Sequence, residues 1–68
     1  MNELLKKRIK ESVDKEALIF LENNFRYFGK ITGCDDKYIE LLDYKKSSYQ
    51  IIELSHVKQV EIKGDKDE

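Results

Sequence analysis

Sixty-eight residues make one small domain, and a chain of this length buries only about 60% of the surface its unfolded form exposes, so its core calls for outside support. One cysteine, Cys34, and one histidine, His56, exclude an internal disulfide and a four-ligand Cys/His zinc site within one chain, which leaves oligomerisation as that support. Thirteen Lys and Arg against fourteen Asp and Glu exclude a globally basic nucleic-acid binder and an acidic tail protein, and twenty Leu, Ile, Val and Phe residues place the chain among those that fold.

The first predicted element is a helix over about residues 3–13, with Asn2 as its N-cap and Leu5, Ile9 and Val13 forming a narrow apolar stripe at four-residue spacing. Lys6, Lys7, Arg8 and Lys10 lie off that stripe as a basic face. Such a face either contacts phosphate, lies on a membrane surface or is simply the solvated side of a packed helix.

From Glu16 the period changes to two, and β-branched and aromatic residues become frequent, which predicts five short strands. The first, Ala17 to Glu22, is apolar on both faces and is expected to lie between the barrel interior and the helix. Asn23-Asn24 reads as a two-residue turn. The second strand, Phe25 to Gly33, puts Phe25, Tyr27, Gly29, Ile31 and Gly33 on one face, and its two glycines predict a sharp bend. Tyr38 to Tyr44, Tyr49 to Leu54 and Val57 to Lys63 complete the set, separated by a polar break at Lys45-Lys46-Ser47-Ser48 and a bend around Ser55-His56. This is a mainly β architecture: an N-terminal α-helix followed by a small, strongly bent antiparallel barrel, a single domain over residues 1–64 with a frayed tail at 65–68. No run is long enough to span a bilayer and no signal-peptide pattern is present, so the expectation is a cytoplasmic protein without a membrane.

Catalysis has little to stand on. The chain offers Cys34 and His56 as a nucleophile and a base, with nothing in the sequence to place them together, and Asp35 and Asp36 beside Cys34 should raise its thiol pKa. Asp35-Asp36 reads as turn-forming carboxylates and His56 as a turn residue or a base-stacking group. Gly29 and Gly33 sit inside a strand pattern and form no phosphate loop. The reading is a non-enzyme with no cofactor and no metal.

The stretch Ile19 to Ile39, with Gly29, Ile31, Gly33 and Asp35 at fixed spacing after an Asn-containing turn, resembles the first motif of the Sm-like (LSm/Hfq-like) family. Leu54-Ser55-His56-Val57-Lys58-Gln59-Val60 resembles the shorter second motif, and the N-terminal helix fits as well. The resemblance implies an Sm-like, SH3-like five-stranded barrel whose last two strands pair between subunits in a ring of six or seven that binds single-stranded RNA. The family's uridine pocket is not carried over. Its stacking position falls on Lys37, its base-reading Asn or Gln falls on Ile39 or Asp36, and its Arg-Gly or Lys-His pair meets Glu53, Leu54 and Ser55. Lys37 remains for phosphate, Tyr38 or His56 for stacking if the loop register differs by one, and Asp35 for the same loop; Lys6, Lys7, Arg8 and Lys10 add the helix face.

Two functions follow from this. One is an RNA-binding homo-oligomeric ring, hexamer or heptamer, with a non-standard base preference. The other is an oligomeric scaffold or protein-interaction module on the same fold without RNA, favoured by Asp36 and Glu53, which would repel phosphate when repeated around a pore.

Overall fold

A computed structural model of the chain describes residues 3–63. Asn2, Gly64 and the tail at 65–68 lie outside the described residues. Helix α1 (Glu3–Glu11) is followed by strands β1 (Glu16–Leu21), β2 (Arg26–Cys34), β3 (Tyr38–Asp43) and β4 (Ser48–Glu53), one 3-10 turn (Leu54–His56), and β5 (Val57–Ile62). The element order matches the expectation.

The helix is shorter than its apolar stripe. Ile9 is fully buried and Leu5 packs against the core, but Val13 lies beyond the helix and is 37% exposed. Ser12 ends the helix: its hydroxyl donates to the Arg8 carbonyl at 2.7 Å and its N–H to the Ile9 carbonyl at 3.0 Å. Asp14 then turns left-handed at φ 76°. The connection is stitched to β2, because the Asp14 N–H donates to the Ile31 carbonyl and the Ile31 N–H to the Lys15 carbonyl, at 2.7 and 3.0 Å.

All strand pairs are antiparallel in the order β4-β3-β2-β1-β5. The core joins Ala17 and Ile19 of β1 to Ile31 of β2, Ile39 and Leu41 of β3, Ile52 of β4 and Val57 of β5, with Leu54 of the 3-10 turn. Strands from both ends of the sheet thus enclose one interior, so the sheet curls strongly without closing on itself. Among the described residues β4 pairs only with β3 and β5 only with β1, which leaves an open edge at each end. No helix of the described residues is long and apolar enough to cross a membrane.

Three local expectations are corrected. First, α1 does not cover the outer face of β1. Ile9 joins the same interior cluster as Ala17 and Ile19, while Leu18 and Phe20 stay half-buried on the other side. Second, the turn after β1 is longer than Asn23-Asn24 alone. The Leu21 N–H donates to the Phe25 carbonyl at 2.8 Å, Asn23 Oδ1 accepts the Phe25 N–H, and Asn24 takes φ 70°. Third, Gly33 does not share the inner face with Ile31. The register slips between them, so that Ile31 faces Leu41, Gly33 faces Glu40 and Cys34 faces Ile39. This β-bulge turns Cys34 inward and Gly33 outward.

Candidate functional site

The loop between β2 and β3 carries Asp35 and Lys37, with Tyr38 opening β3 just after it, and backbone hydrogen bonds shape it. Asp35 Oδ1 accepts the N–H groups of Lys37 and Tyr38 at 2.9 and 2.8 Å, and the Asp35 N–H donates to the Tyr38 carbonyl at 2.9 Å. These donors, Lys37 first and Tyr38 second, hold the Asp35 carboxyl below the usual carboxylate range. Asp35 therefore closes the turn. The Lys37 carbonyl accepts the Leu54 N–H at 2.8 Å, and Tyr38 pairs with Glu53 across β3 and β4, so this loop is tied to the 3-10 turn that ends at His56.

Lys37 and His56 are thus brought to one end of the barrel by their backbones. Tyr38 and His56 line different hollows. Tyr38 lines an outer hollow with Gly33, Glu40 and Ile51, whereas His56 lines another with Leu21, Glu22 and Asn23. His56 Nε2 lies 3.9 Å from Glu53 Oε1, and the His56 carbonyl accepts the Glu22 N–H at 3.0 Å. Cys34 is half-buried, and its thiol donates to the Asp35 carbonyl at 3.4 Å. Burial pushes its pKa up, Asp35 and Asp36 add to this, and Lys10 and Lys6 oppose it.

The helix cations fall on more than one face, because successive residues turn by about 100° around an α-helix. Lys6 and Lys10, four apart, both reach Asp36, at 3.8 and 3.1 Å. The Lys10 hydrogen bond and charge, with Lys6 behind them, hold Asp36 below the usual carboxylate range. Lys6 also stands 3.9 Å from Glu3. Lys7 and Arg8 are exposed elsewhere on the helix.

A further set of residues escaped the sequence reading. A groove of about 490 Å³ runs past Leu18, Phe25, Arg26, Phe28, Lys45 and Lys46, where the start of β2 meets the β3–β4 turn. Phe25 and Phe28 are 47% and 39% exposed, yet each is braced by a second ring: Phe25 edge-on to Tyr27 at 5.1 Å, and Phe28 edge-on to Tyr44 at 5.5 Å. The Tyr44 N–H donates to the Phe28 carbonyl at 3.2 Å, and the Tyr44 hydroxyl donates to Glu16, which fixes that pair. Of the groove's lining residues only Asp43 is acidic; it is buried and accepts the Lys45 N–H at 3.0 Å. Rigid exposed rings beside Arg26, Lys45 and Lys46 can stack on planar groups and neutralise anions in the same place. The interleaving of aromatic residues with Arg26 was a legible signal for this. Lys45-Lys46 read only as a break between strands.

No family model and no curated protein matches the chain. A solved structure does: the 1.55 Å crystal structure of the pleiotropic translational regulator Hfq superposes with a TM-score of 0.76, at 16% sequence identity, over 87% of this chain and 98% of that one. Helix, strand order and open sheet edges together with this superposition give the chain the Sm-like fold of Hfq.

Proposed function

We propose that this chain assembles into a closed ring of six or seven copies that binds single-stranded RNA in the cytoplasm, as a binding protein and not as an enzyme. The observation that carries the RNA reading is the groove in which exposed, braced Phe25 and Phe28 stand among Arg26, Lys45 and Lys46. Stacking on aromatic rings and neutralisation of phosphate are the two sequence-tolerant ways of holding a single strand. Lys37 at the loop and His56 at the 3-10 turn are proposed as secondary contacts, with Tyr38 on the outer face beside them and Asp35 as the residue that shapes their loop.

The ring reading draws support from the two open edges. The inner face of β4 carries Ile52 and that of β5 carries Val60 and Ile62, so an antiparallel β4–β5 pair between copies would extend the apolar interior across the joint. Tyr49 and Ile51 on the outer face of β4 are 63% and 61% exposed, which marks an edge that gains from being covered.

A second reading, a scaffold of the same fold without RNA, is favoured by one observation: Glu53 beside His56 and Asp36 on Lys6 and Lys10 offset positive charge at the Lys37 end. The experiment that separates the two is fluorescence anisotropy with labelled U-rich and A-rich oligonucleotides at two salt concentrations, alongside light scattering for the mass. Binding that weakens with salt by a factor set by several phosphate contacts is expected, with a mass of several 8.1 kDa protomers. Absence of binding to either oligonucleotide at about 50 mM salt, where counterion release helps most, would leave the scaffold.

A further inference from the structure

Asp36 stands on the β2–β3 loop, yet its carboxylate is used on the helix. Its Oδ1 accepts a hydrogen bond from Lys10 Nζ at 3.1 Å and lies 3.8 Å from Lys6 Nζ, across 26 residues of sequence in the Lys10 case. Two ammonium groups one helical turn apart converging on one anionic oxygen is the arrangement in which a phosphate would be held by the same pair. The contact is open to solvent: the Asp36 side chain is 79% exposed and that of Lys10 is 45% exposed. An exposed ion pair of this kind is weakly held, so a competing anion can displace it.

We infer that Asp36 is an internal competitor for phosphate, occupying the Lys6–Lys10 pair in the free protein so that RNA gains these helix cations only by displacing it. The inference rests on the RNA-binding reading above and concerns its regulation: the Lys6–Lys10 pair is muted by default, while Arg26, Lys45 and Lys46 line a groove whose one carboxylate, Asp43, is buried and accepts the Lys45 N–H. Each copy carries one such competitor, so its effect multiplies with the number of protomers that one strand touches. Glu3, 3.9 Å from Lys6, is a lesser competitor that reaches only one of the two cations.

The test is RNA affinity and its salt dependence for wild type, Asp36→Asn, Asp36→Glu, Lys6→Gln/Lys10→Gln and the triple Lys6→Gln/Asp36→Asn/Lys10→Gln, all on the full chain. Asp36→Asn is expected to tighten binding by about two- to fivefold per protomer engaged, the range an exposed ion pair spans. The salt slope should steepen by about 0.7 for each additional phosphate held. Asp36→Glu, which keeps the charge, should bind like wild type, and in the triple variant the gain should vanish because the cations it releases are gone. Equal affinity and slope for wild type and Asp36→Asn would overturn the inference while leaving RNA binding intact. Tightening by Asp36→Glu as large as by Asp36→Asn would overturn it too, since loosening of the loop and not loss of charge would then be the cause. Absence of RNA binding by wild type and Asp36→Asn alike would instead refute the RNA reading on which it rests.

Discussion

The two glycines of β2 look alike in the sequence but should respond in opposite ways to a single methyl group. A Cβ on Gly29 would fall on the carbonyl oxygen of Leu42, 2.8 Å from that residue's carbonyl carbon and 3.2 Å from Asp43 Cα. All three are backbone atoms, so no rotamer change relieves the overlap, and β2 and β3 must part where Gly29 faces Asp43 and Lys30 faces Leu42. Overpacking costs about 1–3 kcal/mol when side chains can give way. With only backbone to move, Gly29→Ala belongs at the upper end, roughly 3 kcal/mol, a large share of the 5–15 kcal/mol that holds a typical domain together. At Gly33 the same Cβ meets Glu40 Oε1 at 3.6 Å and Glu40 Cβ at 3.9 Å, which is ordinary contact, and neither glycine has a positive φ. Gly33→Ala should therefore be neutral or stabilise by up to about 1 kcal/mol, through the reduced freedom of the unfolded chain.

In a domain of this size each kcal/mol moves the melting temperature by about 4–8 °C, so Gly29→Ala should melt roughly 12–24 °C below wild type, or fail to fold, and Gly33→Ala at or a few degrees above it. Circular dichroism melts at matched protomer concentration measure this, the match being needed because association raises apparent stability. Equal shifts for the two variants, or a Gly29→Ala protein that melts with wild type, would refute the close approach of β2 to β3 at Leu42.

Ile9→Ala, which removes the helix side chain that is fully buried among the strand residues, should cost about 2–5 kcal/mol in urea unfolding; a loss under about 1 kcal/mol would mean that α1 is not docked by Ile9. Asp35 and Asp36 both have folded-state pKa values below the unfolded one, so the stability they contribute is fully present above the ordinary carboxylate pKa near 4 and is lost as pH falls through their lower folded values. The acid limb of unfolding should accordingly flatten in an Asp35→Asn/Asp36→Asn protein, and an unchanged limb would place the acid-sensitive carboxylates elsewhere.

What the sequence discloses here, and what it hides, divides by the range of the interaction. Leu5 and Ile9, the period-two run from Ala17 and the Asn23-Asn24 turn are local patterns, and each places its element within a residue or two of the observed one. Gly29 and Gly33 sit four apart in the same strand, and no local pattern distinguishes them. Their difference arises because β3 lays the Leu42 carbonyl against Gly29, whereas the register slips before Gly33 and sets the Glu40 side chain opposite it, an outcome of how two strands pair. Val13 keeps the helical spacing of Leu5 and Ile9, yet the Ser12 hydroxyl competes for the Arg8 carbonyl and the helix stops two residues short of it. The site divides in the same way. Asp35 as a turn former is legible, since a carboxylate that accepts backbone N–H groups two and three residues on is a local motif. The pairing of Asp36 with Lys6 and Lys10 is not, and it changes the meaning of four cations that look like one face: two belong to an ion pair with a distant loop, and two point elsewhere. The groove is the same kind of object, because Phe25, Arg26 and Phe28 acquire Lys45 and Lys46 as neighbours only once β3 has paired with β2 and brought its turn alongside. Where chemistry depends on residues that the chain contributes from separate strands, the sequence can name the candidates, but the strand pairing decides which of them stand together.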